Sequence, residues 1–423
     1  MASSVAPDAG LISTPRGESA ADTAPSLPTS TPPSLARRNA CRVCGNDRLM
    51  PYLHLGQQPL ANAFRAPDDT SAEPRFPLAV RACPVCKLSQ LTHVVSADVL
   101  YAQPYAFAAG VSKAWQTHCA RFADAFARPG LRVLDVASND GTLVREFATR
   151  GCDASGVDPA PNFADGSYPL VSAFWTHALA QTAEFVGRID LLCATNVLGH
   201  VDDVQDFARG IATALAPAGR AVIEVPYVVD MLDALTYDLV YHEHLSYWSV
   251  TALHSLARDA GLVLADVQRI HTHGGSIRAT FAVRGTASAA VTKLMVDEHH
   301  DLRRAAYMRF SERVSGRMAQ LNVWAQGLAP YLGFGASAKA TVLLGTLNVE
   351  AYPTAVVDDN PAKQGRLVPG TRVPVIAAPD WSRETRPVVV FTWNQVDAIA
   401  RKLRRAGYTG AIHAPFPVPH TVA

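Results

Sequence analysis

From residue 131 onward, short apolar runs alternate with amphipathic stretches. LRVLDVA (131–137), CDASGVD (152–158), DLLCATNV (190–197) and RAVIEVP (220–226) read as strands. Helical stretches separate them near 142–150, 176–186 and 203–215. This alternation predicts a parallel sheet with helices on both faces. LVLADVQRI (262–270) and SIRATFAVR (276–284), joined by HTHGG, read as an antiparallel pair that closes the sheet. Upstream, Ala114, His118, Phe122 and Phe126 fall at helical spacing. Downstream, Val314, Met318, Leu321, Ala325 and Leu328 recur at spacings of four and three, so 288–328 reads as a long helix or a helix pair. A second, smaller alternating unit follows: PYLGFGASAKATVLL, TAVVDDNP, RPVVVFTWN and a final helix near 395–406.

The chain ahead of these units is different. Residues 1–38 are rich in Ser, Thr, Ala and Pro without apolar period, and read as a disordered tail. Residues 39–100 hold paired cysteines and many turn residues, and read as a small metal-stapled module. The predicted division is therefore a tail (1–38), a zinc module (39–100), a first α/β domain (101–287), a helical connector (288–328) and a second α/β domain (329–423).

Composition narrows the function classes. The 423 residues are 48% hydrophobic and 18% charged, enough apolar material for full cores. Lys and Arg number 38 against 37 Asp and Glu, a net charge of +1, which argues against a general nucleic-acid or anionic-membrane binder. No apolar run reaches about 18 residues, the length a membrane span needs. The first residues lack a basic start followed by an apolar stretch, so no signal peptide is read and a cytoplasmic location is expected.

Seven cysteines are present, four of them in two C-x-x-C pairs. Between the pair Cys41 and Cys44 and the pair Cys83 and Cys86 lie 38 residues. Two such knuckles suit a closed tetrahedral thiolate site for Zn²⁺ with a structural role. Two unrelated reduced pairs, or a redox pair, are the alternatives. Cys119, Cys152 and Cys193 read as small buried residues.

Candidate chemistry gathers at strand ends. LRVLDVASNDGTL is a strand, a tight polar loop and a helix start, a geometry that presents backbone N–H groups to a ligand. With Gly141 as its only glycine, the loop suits an amino-acid or nucleoside ligand better than a diphosphate. Asp158 ends the next strand, where a carboxylate can accept both ribose hydroxyls; alone it would read more readily as a turn residue or helix cap, and its pairing with the loop reverses that. Tyr241-His242-Glu243-His244 follows the fifth strand, and His200 follows the fourth, so both point to the rim where ligands of open α/β sheets sit. The tetrapeptide could carry acid–base chemistry, ligate a metal or form a solvated loop. In HTHGGSIR the paired glycines allow a tight turn or a close approach, and Arg278 could pair with a diphosphate. Gly333-Phe-Gly335-Ala-Ser-Ala338 with Asp358 matches a dinucleotide fingerprint, which leaves an NAD-dependent oxidoreductase open.

Taken as an ordered set, VLDVASNDGTL, GVDP and TNVLGHVDD resemble the S-adenosylmethionine-dependent class I methyltransferases. With both cysteine pairs, GQQPLANAF, YHEHLSYWS, HGGSIR, GFGASAKATVLL, VVDDNPAKQGRLVPGT and FTWN, the chain resembles the sugar C-methyltransferases of deoxysugar biosynthesis, from Cys41 to the C-terminus. The resemblance implies an α/β fold: a class I methyltransferase Rossmann-like core, a zinc-binding N-terminal module and a second Rossmann-like domain that binds sugar nucleotide rather than NAD. It implies S-adenosylmethionine contacts at Asp135, Ala137, Asn139, Gly141, Asp158, Asn196 and Leu198, with Phe174 near the adenine. It places the base at His244, with Tyr241 and His200 as oxyanion or hydroxyl partners and Glu243 on the substrate or orienting an imidazole. Tyr105 belongs to a substrate lid whose Tyr-Ala-Phe-Ala-Ala-Gly departs from the family's Tyr-x-Tyr-Phe-Ser-Ser. Lys339 is expected near phosphate, with Lys363, Arg366, Trp393 and Asn394 as further candidates. The implied substrate is a dTDP-linked 4-keto deoxysugar methylated at C3, with C5 as the alternative. No nucleic acid or membrane partner is expected, and the oligomeric state, a monomer included, stays open. A non-catalytic, zinc-stabilised nucleotide-sugar binder is the remaining class.

Overall fold

The computed structural model describes residues 35–100, 109–163 and 166–422. Residues 1–34 of the expected tail, and Tyr105, lie outside them. The last residues of that tail are not disordered: Leu35–Arg37 pairs antiparallel with His93–Val95, and Arg38 is ion-paired to Asp202. Cross-strand bonds satisfy the backbone that the composition left unassigned.

The central sheet has seven strands: β1 (Arg132–Val136), β2 (Asp153–Val157), β3 (Leu170–Val171), β4 (Ile189–Thr195), β5 (Leu215–Pro226), β6 (Val263–Ile270) and β7 (Ser276–Ala282). Their spatial order is 3-2-1-4-5-7-6. The first five are parallel, and β7 runs antiparallel between β5 and β6, as the closing pair was expected to. All five parallel strands therefore deliver their carboxyl ends to one rim. Helix α1 (Lys113–Phe126) buries Cys119, Phe122 and Ala123 against Val133, Phe147 and Leu191; of the positions read at helical spacing Phe122 is buried, His118 and Phe126 are half-buried and Ala114 is exposed, so the buried face is offset from the one expected. Helix α2 (Val204–Ala214) starts at Asp203, whose carboxylate accepts the Asp206 N–H.

The zinc module builds a four-stranded sheet from Met50–Pro59, Arg75–Ala82 and Ser89–Leu91, with a fourth strand, Ser246–Tyr247, that comes from far along the chain. Ser246 pairs with Gln90. The segment immediately after Tyr-His-Glu-His is thus part of the module's sheet. The connector is a helix pair, Ala289–Asp301 and Arg304–Leu328.

The C-terminal sheet has six strands: β8 (Leu332–Phe334), β9 (Ala355–Val357), β10 (Val375–Ile376), β11 (Val388–Val390), β12 (Ile412–Ala414) and β13 (His420–Val422). The order is 10-9-8-11-12-13, with an antiparallel edge strand. Its first five strands repeat the 3-2-1-4-5 arrangement of the central sheet. Among the described residues no helix is long and apolar enough to cross a membrane.

Candidate active site

The loop after β1 is tightly wound. Ala137, Asn139 and Gly141 all have positive φ, and so does Asn196 at the end of β4. For the non-glycine residues this conformation costs free energy and persists where surroundings enforce it. Asp158 supplies part of that enforcement: Oδ2 accepts the Asn139 N–H at 2.8 Å and Oδ1 the Ala160 N–H at 2.8 Å. Tyr168 supplies more, donating to the Asn139 carbonyl at 2.5 Å. Its ring lies 2.3 Å from where a Cβ on Gly141 would stand, which is why that position holds glycine.

Two buried acceptors, Asp135 Oδ1 and Asn196 Oδ1, meet no partner among the described residues. Burial, then the Asp158 charge, pushes the Asp135 carboxyl well above its usual range, and burial raises Asp158 too. Carboxyls in this condition fit a ligand that brings N–H or O–H donors and positive charge, as the ammonium, sulfonium and ribose of S-adenosylmethionine do. Leu198 is fully buried beside this group, whereas Phe174 is 61% exposed.

The second cluster lies across the same rim. Tyr241-His242-Glu243-His244 is a turn, closed by the His244 N–H donating to the Tyr241 carbonyl at 2.9 Å. Its side chains therefore diverge. His244 Nδ1 donates to the Leu239 carbonyl at 2.8 Å, so in the neutral ring Nε2 carries the lone pair and accepts from the Tyr241 hydroxyl at 2.5 Å. His200 packs edge-on to His244, ring centroids 4.9 Å apart, and burial pushes its pKa down to about 4, keeping it neutral. Glu243 Oε1 accepts from Asn62 at 2.7 Å, and burial pushes its carboxyl up to about 7. His242 is turned away, toward the Phe76 carbonyl at 3.3 Å. This divergence leaves no shared point for a metal in the tetrapeptide.

The four cysteines do share one. Cys41, Cys44, Cys83 and Cys86 bring their sulfurs within 4.8 Å of one another, the only such cluster among the described residues. Four thiolates at this separation fit tetrahedral zinc with no open position.

Other expected residues find different partners. Arg278 Nε donates to Glu224 Oε1 at 2.7 Å, and its guanidinium lies over the Phe122 and Phe126 rings. His118 holds the other Glu224 oxygen at 2.7 Å. The expected diphosphate partner is thus engaged in tying α1 to the sheet. In the C-terminal unit Gly333 lies inside β8 rather than in a loop, and a Cβ there would meet Phe391 at 2.3 Å; one on Gly335 would meet Thr392. Packing at both glycines, and a φ of 90° at Gly335, account for these residues without a bound dinucleotide. Asp358 accepts the Ala336 N–H at 2.8 Å, bracing its loop as Asp158 braces the first. Lys339, Trp393 and Asn394 come together: the lysine Nζ donates to Asn394 at 2.8 Å and sits 5.1 Å from the Trp393 ring centre. Lys363 and Arg366 instead reach the ring and the carbonyl of Phe64.

Sequence reasoning missed Asn62, Tyr168, Glu224 and Asp238 as individuals. Asn62 lay within GQQPLANAF, a motif whose pairing with Glu243 spans 181 positions and has no local signature.

The comparisons with known proteins follow this geometry. A methyltransferase domain matches residues 107–267, a zinc binding domain 41–101 and a C-methyltransferase C-terminal domain 271–419. The C-methyltransferase NovU of Streptomyces niveus is 30% identical over 413 residues, covering 90% of this chain and 96% of that protein. The ubiquinone biosynthesis O-methyltransferase of Aeromonas salmonicida is 26% identical over 171 residues, 34% of this chain and 67% of that one. Among solved structures, a TehB-like S-adenosylmethionine-dependent methyltransferase of Corynebacterium glutamicum is 20% identical, covering 39% of this chain and 87% of that one, with a TM-score of 0.29.

Proposed function

The chain belongs to the S-adenosylmethionine-dependent C-methyltransferases that carry an N-terminal zinc-binding domain, and on that premise we propose that it methylates C3 of a dTDP-linked 4-keto deoxysugar with His244 as the base. The observation that carries this reading is the imidazole held between the Leu239 carbonyl and the Tyr241 hydroxyl, with its basic nitrogen turned to the latter. A 4-keto group acidifies the hydrogen on C3. In this reading His244 Nε2 takes that proton, leaving an enediolate. Tyr241 shifts its hydroxyl proton toward the developing oxyanion, and neutral His200 is a second partner there. Glu243, its carboxyl raised by burial to about 7 and anchored by Asn62, offers a hydroxyl-binding group. When bound, S-adenosylmethionine supplies an electrophilic methyl to the nucleophilic carbon. Asp135, Ala137, Asn139, Gly141, Asp158, Asn196 and Leu198 would hold it, with Phe174 at the adenine. The Lys339–Trp393–Asn394 group would face the nucleotide.

The test is mass spectrometry of the enzyme with S-adenosylmethionine and a dTDP-4-keto-2,6-dideoxyhexose, comparing wild type with His244→Ala. One added methyl in wild type and none in the variant, with S-adenosylmethionine binding retained by calorimetry, is the expected result. Methyl transfer by the variant at the wild-type rate would remove His244 from the role. Cofactor binding without transfer would mean a different sugar or nucleotide.

A further inference from the structure

Only one nitrogen of a neutral imidazole carries hydrogen, so whichever atom accepts from Nδ1 decides where the lone pair points. For His244 that atom is the carbonyl of Leu239. Leu239 ends a single 3₁₀ turn, Tyr237–Leu239, and a turn this short has little stability of its own. It also follows Leu235, a non-glycine residue at φ 56° in the left-handed region, so the backbone leading into it is strained.

The side chains of the turn are held from the C-terminal unit. Tyr237 is fully buried, its hydroxyl 3.1 Å from Thr346 Oγ1 and its ring packed edge-on to Phe416. Asp238 Oδ2 accepts the indole N–H of Trp393 at 2.6 Å in a buried contact. Trp393 packs on Phe416 in turn and lies beneath the Lys339 ammonium. Thr346, Trp393 and Phe416 all lie beyond residue 329. Burying a carboxylate here costs free energy that an apolar side chain would not. Its directional bond to Trp393 is what an apolar residue could not supply.

We propose that Asp238 and Trp393 are positioning residues for methyl transfer: through their hydrogen bond the C-terminal unit holds the Tyr237–Leu239 turn, and the Leu239 carbonyl then sets the tautomer and direction of His244. The inference rests on the reading of His244 as base.

The test uses the full-length, zinc-loaded enzyme with Trp393→Phe, Asp238→Ala and Asp238→Asn. The first two lose kcat about 10- to 100-fold while KM for S-adenosylmethionine is unchanged, since the loss is one of alignment. Asp238→Asn keeps an oxygen acceptor for the indole and recovers to within about threefold of wild type. Long-range ¹H–¹⁵N spectra of ¹⁵N-histidine-labelled protein read the tautomer directly, with the His244 signals identified by their absence in His244→Gln. Wild type shows the Nδ1–H form, and Trp393→Phe and Asp238→Ala show a mixture. An unchanged tautomer in a folded Trp393→Phe protein, or Asp238→Asn as impaired as Asp238→Ala, overturns the proposal. Thr346→Val, which removes only the hydroxyl beside Tyr237, gives the same reading in milder form if the larger changes fail to fold. Full activity in His244→Gln would sink the base instead, and the tautomer spectra would still decide the positioning link.

Discussion

A carboxyl that loses water without gaining a cation resists ionisation, and among the described residues Glu243 is such a group: its side-chain partner there is the Asn62 amide, and its pKa is raised to about 7 from an ordinary 4.5. Between those values the folded protein keeps a proton that the unfolded chain releases. Stability contributed by Glu243 is thus present below pH 4.5 and lost as pH rises toward 7. Glu243→Gln keeps the Asn62 contact and removes the titration. Urea unfolding from pH 4.5 to 7.5 should show wild type losing on the order of 3 kcal/mol relative to the variant. His200 has the opposite sign. Its pKa falls from 6.5 to about 4, so its contribution is present above pH 6.5 and disappears as pH falls through 4; His200→Gln should flatten that acid limb. The identity of these residues was legible in Tyr-His-Glu-His and in NVLGHVDD. Their perturbation was not, because it comes from the burial that encloses them, which for Glu243 outweighs the opposing hydrogen bond from Asn62.

At the scale of elements, periodicity was a reliable guide where strands are long enough to carry one. Four of the five parallel strands and the β6–β7 pair emerged from the alternation of apolar runs; the two-residue β3 (Leu170–Val171) did not. The two-residue strand Ser246–Tyr247 has no period to read, yet it joins the zinc module's sheet two residues after His244. Structural zinc sites contribute folding free energy outright, about 10–16 kcal/mol in isolated fingers. Stripping zinc with a chelator should therefore lower Tm and abolish methyl transfer together, since the segment that follows the proposed base completes that sheet. S-adenosylmethionine binding, which we propose lies at the β1 and β2 ends, should fall less. Zinc content, thermal unfolding and calorimetry on one preparation check this. Equal loss of both functions would mean that the module also supports the cofactor rim.

At the scale of the molecule, one device is used twice. Asp158 and Asp358 each end a second strand and each accept an N–H from the loop after the first, although the two units share no sequence repeat. The joint between units is close as well as directional. Gly274, at φ 90°, would place a Cβ 2.4 Å from the Trp393 ring. Its conformation favours glycine and its neighbour is a bulky, hydrogen-bonded indole. Gly274→Ala should cost about 1–3 kcal/mol and red-shift Trp393 fluorescence as the joint loosens, read against Gly285→Ala, also at positive φ but with nothing within 4 Å. Equal cost at both positions would assign the effect to φ alone.

By itself the sequence determined the zinc ligands, the class I sheet, the loop after β1 and the tetrapeptide that we propose carries the base. These rest on residue type and short spacing, which a linear reading keeps intact. Only the tertiary structure decided that Arg278 is engaged by Glu224, that the Gly333 and Gly335 positions serve packing, that Glu243 answers to Asn62, and that Trp393 reaches Asp238. The Asp238 and Trp393 side chains lie 155 positions apart along the chain. No local pattern encodes such a pair, because its energy exists only once two separately folded sheets are brought together and water is excluded between them.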